Sequence, residues 1–461
     1  MSRSRGNLQE TASRRQKTSA SPEAKGSNEG KMPEGPEKSI VGAAKGRLVV
    51  PLLFLSPLIT SAVHRLTWLF FPLTALALII PYLRRGNDWR HLTWPTTDVM
   101  SVLLVAAYVL LGAVWAVKPS AAVEKSGLLL ATTLITFAAS RAITALDGPQ
   151  IGQAARAFAI GAFIGALFVL FELLTNGAVT RLVVNTSGWF KPESAKHATL
   201  LNGEAIKLRS AEFRQGTALL TFHLWPALLA LSAVAGRARR AAIWIGLLVV
   251  AVALPILLSE RMSSQFALVS SLLVFSLACI WRRAVVRALA ALWCLGFVLI
   301  LPGAFLAYKA DLHLATWVPE SARARMIIWE FTAERALERP WLGIGAGSTP
   351  ALRVPRGESE QPEGFVYPRT TGAHAHNLFL QTWYELGLVG AILIAIAGAL
   401  LVLRISLLPV EAQPFAAATF TVFLATVSTS WGMWQVWLVC GVGLMLLYLL
   451  IAARAARKSS L

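Results

Sequence analysis

Long apolar runs broken by short polar stretches dominate the chain. Twelve are visible, at roughly 48–63, 66–83, 97–117, 126–144, 152–174, 216–235, 241–258, 263–281, 285–307, 376–403, 411–430 and 433–453. Most reach the ~18–20 residues that a helix needs to cross a hydrocarbon core. The first two are short enough to be read as one hairpin. In lipid a segment must satisfy its own backbone polar groups, and unbroken apolar runs do so as helices, whereas barrel strands alternate. The pattern predicts an all-α, polytopic membrane protein with about twelve transmembrane helices, its membrane domain covering 48–453.

Two connections are much longer than the rest, at about 175–215 and 308–375, and connections of that length are usually functional. Within the second, "SARARMIIWEFTAERALERPWLGIGAG" places Ile327, Ile328, Phe331 and Leu337 at helical spacing among Arg325, Glu330, Glu334, Arg335 and Glu338. This predicts an amphipathic helix of about four turns, ended by Pro340 and lying along the membrane surface. The Gly343–Gly347 stretch, "GIGAG", then permits close approach of backbone.

Composition sharpens this picture. Of 461 residues, 56% are hydrophobic and 15% charged, with a formal net charge of +19. The basic residues gather at Arg84, Arg85 and Arg90; Arg237, Arg239 and Arg240; Arg282, Arg283 and Arg287; Arg404; and Arg454, Arg457 and Lys458. These are alternate connections, and the basic N-terminal tail falls on the same side. The positive-inside bias therefore places both termini, including the basic tail 454–461, in the cytoplasm and the two long loops on the outer, periplasmic side of the plasma membrane. Anionic membrane lipids account for the charge, and nucleic acid is not expected as a partner. Residues 1–47 lack apolar periodicity, so a disordered cytoplasmic tail is expected rather than a signal peptide. Cys279, Cys294 and Cys440 sit within apolar runs and read as small packing residues.

With short cytoplasmic connections, chemistry is expected on the outer face, where a donor must carry its own activation, as a lipid pyrophosphate does. Ionisable residues in the runs are few, and Glu172 and His223 stand out. Four arginines stand at or near the outer lip: Arg209 and Arg214 in "KLRSAEFRQG", Arg261 in the short turn "LSERMSSQ", and Arg325 on the amphipathic helix. Any one reads as an interfacial arginine with an aqueous head. Together they suit a pyrophosphate, since a guanidinium forks onto phosphate oxygens and keeps its charge. No metal and no cofactor is expected: Asp occurs only at 88, 98, 147 and 311, without an Asp-x-Asp pair, and Glu358, Glu360 and Glu363 resemble a solvated turn. His374 and His376 precede the tenth run. They could ligate zinc, though nothing nearby completes a tetrahedral set. They could pack as structural histidines. The third reading is a neutral imidazole serving as general base toward a sugar hydroxyl.

The stretch "HNLFLQTWYELGLVG" resembles the signature of the O-antigen ligases and the related O-antigen polymerases: His-Asn, nine residues, then Gly-x-x-Gly, matched by His376, Asn377, Gly387 and Gly390. The preceding segment is similar to the family's Arg-x-x-x-Trp helix and Pro-x-x-Gly-x-Gly turn, with Arg325, Trp329, Pro340, Gly343 and Gly345. Twelve spans with a large outer loop between the ninth and tenth also match the family's GT-C-like layout. The resemblance implies metal-independent, inverting transfer of an O-antigen glycan from undecaprenyl pyrophosphate to a sugar of lipid A–core. It makes His376 the base and Arg325 the loop arginine. It offers Arg209 and Arg214 alike as the arginine before the sixth span, and likens Ser259–Arg261 to a Ser-Arg with Glu260 inserted. His374 lies outside the pattern and reads as a supporting or an incidental residue. Gly387, Ala391, Ala395 and Ala399 read as a small-residue stripe for close helix packing. An O-antigen polymerase, a protein O-oligosaccharyltransferase and a polysaccharide exporter or flippase remain as alternatives.

Overall fold

The computed structural model describes residues 48–84, 86, 96–187, 198–202, 204–208, 213–236, 238–259, 261–353 and 367–459. The tail 1–47, Arg85, Asp88, Arg90, Arg209, Arg237, Glu260 and the glutamates at 358, 360 and 363 lie outside the described residues.

The apolar runs fold as helices: α1 (Val49–Ala62), α2 (Thr67–Arg84), α3 (Thr97–Leu111), α4 (Pro119–Thr144), α5 (Gly148–Leu174), α6 (Ala178–Ser187), α7 (Arg214–Val234), α8 (Ala238–Leu258), α9 (Met262–Lys309), α10 (Glu320–Glu338), α11 (Leu378–Leu403), α12 (Gln413–Thr429) and α13 (Val436–Ser459). Ten of the helical segments among the described residues are long and apolar enough to cross a membrane, and α1 is a shorter apolar helix. The fold is all-α and polytopic, as the periodicity predicts. A short antiparallel hairpin, β1 (Ala198–Leu201) with β2 (Glu204–Leu208), lies within the first long connection.

Starts and contacts follow from local chemistry. Asp147 caps α5 in a reciprocal box with Gln150, next to a proline in the first turn. Gly161 of α5 lets α1 come so near that an added Cβ would lie 2.1 Å from the Phe54 carbonyl oxygen. Two residues singled out within the runs have structural partners. The Glu172 carboxylate accepts from Val179 N, Thr180 N and Thr180 Oγ1, capping α6. His223 is buried on α7, with Nδ1 3.4 Å from Ser61 Oγ and its ring against Phe158 and Tyr448. Cys440 is buried, whereas Cys279 faces outward, so packing does not describe all three cysteines.

Helix α9 holds two of the predicted runs. Its 48 residues would extend about 72 Å if straight, more than twice a hydrocarbon core. It is not straight, because Trp281 leaves helical geometry at φ −123°, ψ 52°. Ser263 Oγ meets Ser430 Oγ at 3.1 Å, and Ser430 contacts His376. Ala304, near the other end, packs with Ala375 and Leu380. Both ends of α9 thus reach the same rim, and the chain doubles back at Trp281, beside exposed Arg282 and Arg283. At the opposite rim Arg404 pairs with Asp98 (2.6 Å) at the end of α11.

Candidate active site

The site is built where helices begin. α7 starts at Arg214, Arg261 stands at the N-cap of α9, and His376 and Asn377 precede α11. Three N-terminal ends, each with unsatisfied N–H groups and a partial positive charge, therefore border one region. Against them comes the C-terminal end of α12, which offers carbonyls. Asn377 Nδ2 donates to Ser428 O (2.8 Å), while its Oδ1 accepts from Leu380 N (3.1 Å) and caps α11. His376 Nδ1 lies 2.6 Å from Ser430 O. A carbonyl only accepts, so Nδ1 carries the proton and Nε2 of the neutral ring has a free lone pair. Nε2 has no hydrogen bond and is not sealed from solvent among the described residues. His376 holds φ at +55°, a backbone state that costs a non-glycine residue roughly 1–3 kcal/mol and persists only when its surroundings enforce it.

Two of the four predicted arginines, Arg261 and Arg325, act on this imidazole, and a third, Arg214, acts on both of them. Burial pushes the Arg261 guanidinium down to about 9, with Arg214 and Arg325 adding to the shift; it remains charged at neutral pH. Burial and the charge of Arg214 likewise lower Arg325. Burial, then Arg325 and Arg261, hold His376 below the ordinary imidazole value, opposed by the hydrogen bond to Ser430. Neither Arg261 nor Arg325 makes an ion pair among the described residues. Arg261 lies over the Trp431 ring, 5.5 Å from its centroid. Positive charge is thus gathered around a neutral imidazole, an arrangement with the chemistry to hold a polyanion.

Helix α10 supplies Arg325 and is fastened by groups on both flanks. Trp329, one turn along, donates from Nε1 to Ala375 O (2.9 Å), so one helical face carries the arginine and grips the residue before His376. Arg369 reaches Glu330 (2.7 Å) and Glu334 (2.8 Å), and the Glu330 hydrogen bond raises its pKa. Periodicity placed this helix correctly, and it ends at Glu338, before Pro340. It misplaced part of the buried face: Leu337 is exposed and Glu330 is buried, because Arg369 satisfies the carboxylate.

The glycines of the signature do something other than line a packing stripe. Gly387 interrupts α11 at φ 64°, ψ −166°, so it cannot continue the spacing of Ala391, Ala395 and Ala399 on one regular helix. The Pro340–Gly345 turn fills the break. Leu388 N donates to Pro340 O (2.7 Å), Val389 N to Trp341 O (3.2 Å), Ile344 N to Tyr384 O (3.1 Å) and Gly345 N to Glu385 O (2.8 Å). Tyr108 Oη donates to Leu386 O (2.7 Å). A Cβ on Gly387 would lie 2.4 Å from the Trp341 carbonyl, and one on Gly343 2.5 Å from Glu385 C. Gly390 packs against Tyr108 and Leu386. Close approach was foreseen for the glycine turn, and its target is the broken helix.

Two contributors were missed by the sequence reading. Glu385, fully buried in α11, accepts from Thr349 Oγ1 (2.5 Å), Gly347 N (2.7 Å), Trp434 Nε1 (2.5 Å) and Gln381 Nε2 (3.2 Å). An ionisable residue inside a span is itself a signal. The second is the α12–α13 connection, "SWGMWQVW", where Ser430 holds His376, Trp431 carries Arg261 and Trp434 reaches Glu385. Trp431 and Trp434 in the connection and Trp437 at the start of α13 mark it, three tryptophans in seven residues. His374 packs edge-to-face on His376 at 4.0 Å between ring centroids, and burial above all lowers its own pKa to about 3.

Residues 247–395 match the family model described as O-antigen ligase. That stretch holds Arg261, Arg325, Trp329, His376, Asn377, Gly387 and Gly390, but not Arg214 or the tryptophan-rich connection. Among curated proteins, one from Rickettsia conorii, provisionally named a polysaccharide ligase, is 30% identical over 131 residues, 28% of this chain and 31% of that protein. A protein of the same provisional name from Rickettsia felis is 29% identical over 131 residues, with the same coverage. The chain thus spans about a third of the length of these relatives. The likeness to the O-antigen ligase family is thus confined to residues 247–395, the stretch that carries His376 and two of the arginines.

Proposed function

We propose that the protein is an O-antigen ligase working on the periplasmic face of the bacterial inner membrane, with both termini in the cytoplasm. It would transfer a glycan from undecaprenyl pyrophosphate to a sugar hydroxyl of lipid A–core. The observation that carries the reading is the protonated Nδ1 of His376, which leaves Nε2 as a base beside Arg261 and Arg325. In one displacement the acceptor oxygen bonds to the anomeric carbon as the bond to the pyrophosphate oxygen breaks. The acceptor proton passes to His376 Nε2, and the configuration inverts. Arg214, Arg261 and Arg325, with Arg209 as a further candidate, receive the charge growing on the departing pyrophosphate. Guanidinium groups then do the work of a metal, and no metal or cofactor is needed. Loss of one such donor costs on the order of 100-fold in rate. Lipid partners suit the apolar bundle, into which a polyprenyl tail can pass sideways.

The test is incubation of the purified protein with a polyprenyl-pyrophosphate glycan, with and without lipid A–core. Ligation to core is expected, and His376→Ala should abolish it while leaving the folded protein in the membrane. Glycan extension without core would instead identify a polymerase, transfer to a Ser or Thr hydroxyl a protein O-oligosaccharyltransferase, and movement without bond formation a flippase. Retained ligation by His376→Ala removes the base assignment.

A further inference from the structure

His374 is oriented by a chain of donors and acceptors that leaves little choice of tautomer. Trp437 Nε1 can only donate, and it lies 2.8 Å from Gln435 Oε1. The Gln435 amide is thereby fixed with its nitrogen toward His374 Nε2, at 3.4 Å. Nε2 must accept, which leaves the His374 proton on Nδ1. That atom is closed off from solvent, and no other residue among the described ones accepts from it. Gly432 makes room for the ring, since an added Cβ would lie 2.9 Å from it. The ring so held stands edge-to-face on His376.

We propose that Trp437 and Gln435 lock His374 in one tautomer, and that His374 in this form is the positioning residue of His376. The proposal rests on the reading of His376 as the base. Two things follow from the arrangement. The His374 ring backs the imidazole of a residue whose own backbone is strained. It also stays uncharged at a place where another cation would damage the base. The charged and titratable groups facing His374 are His376 on its own segment and Arg325 on α10. Those facing His376 are Arg325 and Arg261, both coupled to Arg214. None of these described groups is an anion, so among the described residues a proton added to His374 finds no opposite charge. The glutamine, neutral and able to donate, withholds the carboxylate that would attract one.

The decisive variant is Gln435→Glu, which keeps shape and reverses the hydrogen bond. A glutamate accepts from Trp437 Nε1 and from a protonated His374 Nε2 together. In protein carrying ¹⁵N-labelled histidine in lipid nanodiscs, wild type should show His374 neutral and protonated at Nδ1 at pH 7. Gln435→Glu should show it doubly protonated, with the His376 titration displaced downward. Ligation by Gln435→Glu should fall about tenfold at pH 7, one unit of lost basicity, and recover as pH rises and His374 sheds its extra proton. His374→Phe keeps a neutral ring against His376 but loses the Gln435 hydrogen bond that orients it, and should slow ligation roughly threefold, less than Gln435→Glu does, with the His376 titration left in place. In that background the Gln435→Glu substitution should have no further effect. A neutral His374 in Gln435→Glu, mixed tautomers in wild type, or an equal loss in both backgrounds overturns the proposal. The nitrogen spectra report on it even if the substrates prove to be others, and the substrate test above stands or falls without them.

Discussion

Replacing Gly387 by alanine separates two roles that predict opposite signs. In a regular helix with a small-residue face, Gly→Ala stabilises by roughly 0.5–1 kcal/mol, because alanine loses less backbone entropy. The observed φ 64°, ψ −166° belongs to a region that is essentially glycine's alone, and alanine there costs roughly 1–3 kcal/mol. The new Cβ would also sit 2.4 Å from the Trp341 carbonyl, so the turn must retreat. Retreat endangers first the bonds from Leu388 N to Pro340 O and from Val389 N to Trp341 O, each contributing about 1 kcal/mol net. Together these give a loss of about 3–5 kcal/mol. Equilibrium unfolding of the purified protein in mild detergent, followed by tryptophan fluorescence, measures it. Gly343→Ala, on the other side of the same junction, should cost a similar amount, and the double variant less than the sum. An unchanged or raised stability for Gly387→Ala would refute the stitched-break account and restore the stripe.

Three further outcomes are expected. Trp329→Phe removes the donor to Ala375 O, costing about 1–3 kcal/mol, and lets Arg325 and His376 drift apart, so ligation should fall ~10–100-fold with folding retained; an unchanged rate would free α10 from any positioning role. Glu385→Gln puts an NH2 donor in place of one oxygen of a carboxylate that accepts from four donors and should destabilise by about 3 kcal/mol in the same unfolding assay, with a loss below about 1 kcal/mol counting against the buried carboxylate. Because His376 and His374 are held below the ordinary imidazole value, ligation should stay level as pH falls from 8 through 6.5, its acid limb appearing only lower. Over that lower range the unfolded chain binds protons that the native histidines refuse, so stability should decline as pH drops below about 6.5. A rate midpoint at or above 6.5 would contradict the depressed base.

How much of this was legible depends on the range over which each feature is encoded. Apolar runs report their own burial, so the helices were readable, and Trp281 with Arg282 and Arg283 marks the turn within α9. The positions of Arg261 and His376 were legible because polar side chains at a span's start are locally conspicuous, and that of Arg325 because it lies on an amphipathic helix. Glu385 was not, since a hydropathy average over α11 absorbs one carboxylate and its partners Thr349 and Trp434 lie 36 and 49 residues away. Gly387 misled for the same reason: a glycine in an apolar run looks like a packing residue until the turn that enters the break is seen. Leu337 and Glu330 exchanged places because Arg369, 39 residues downstream of Glu330, sets the phase of α10.

What the bundle accomplishes at this rim is a sorting of helix ends by sign. The starts of α7, α9 and α11 bring N–H groups and two of the arginines to one region, which favours negative charge. The end of α12 brings carbonyls to the same region, and these would repel a phosphate if left bare. Asn377 Nδ2 and His376 Nδ1 cover two of them, at Ser428 and Ser430. Covering the carbonyls and fixing the tautomer of the imidazole are therefore one event, and the left-handed backbone of His376 is the conformation in which it occurs. A side chain at 376 without a ring nitrogen would lose the proposed base and uncover the Ser430 carbonyl, an acceptor that would repel an anion held there. By this reasoning His376→Ala should weaken binding of a pyrophosphate lipid as well as stop transfer. Unchanged affinity in that variant, measured by displacement of a fluorescent polyprenyl pyrophosphate, would show that the carbonyl at Ser430 does not face the anion.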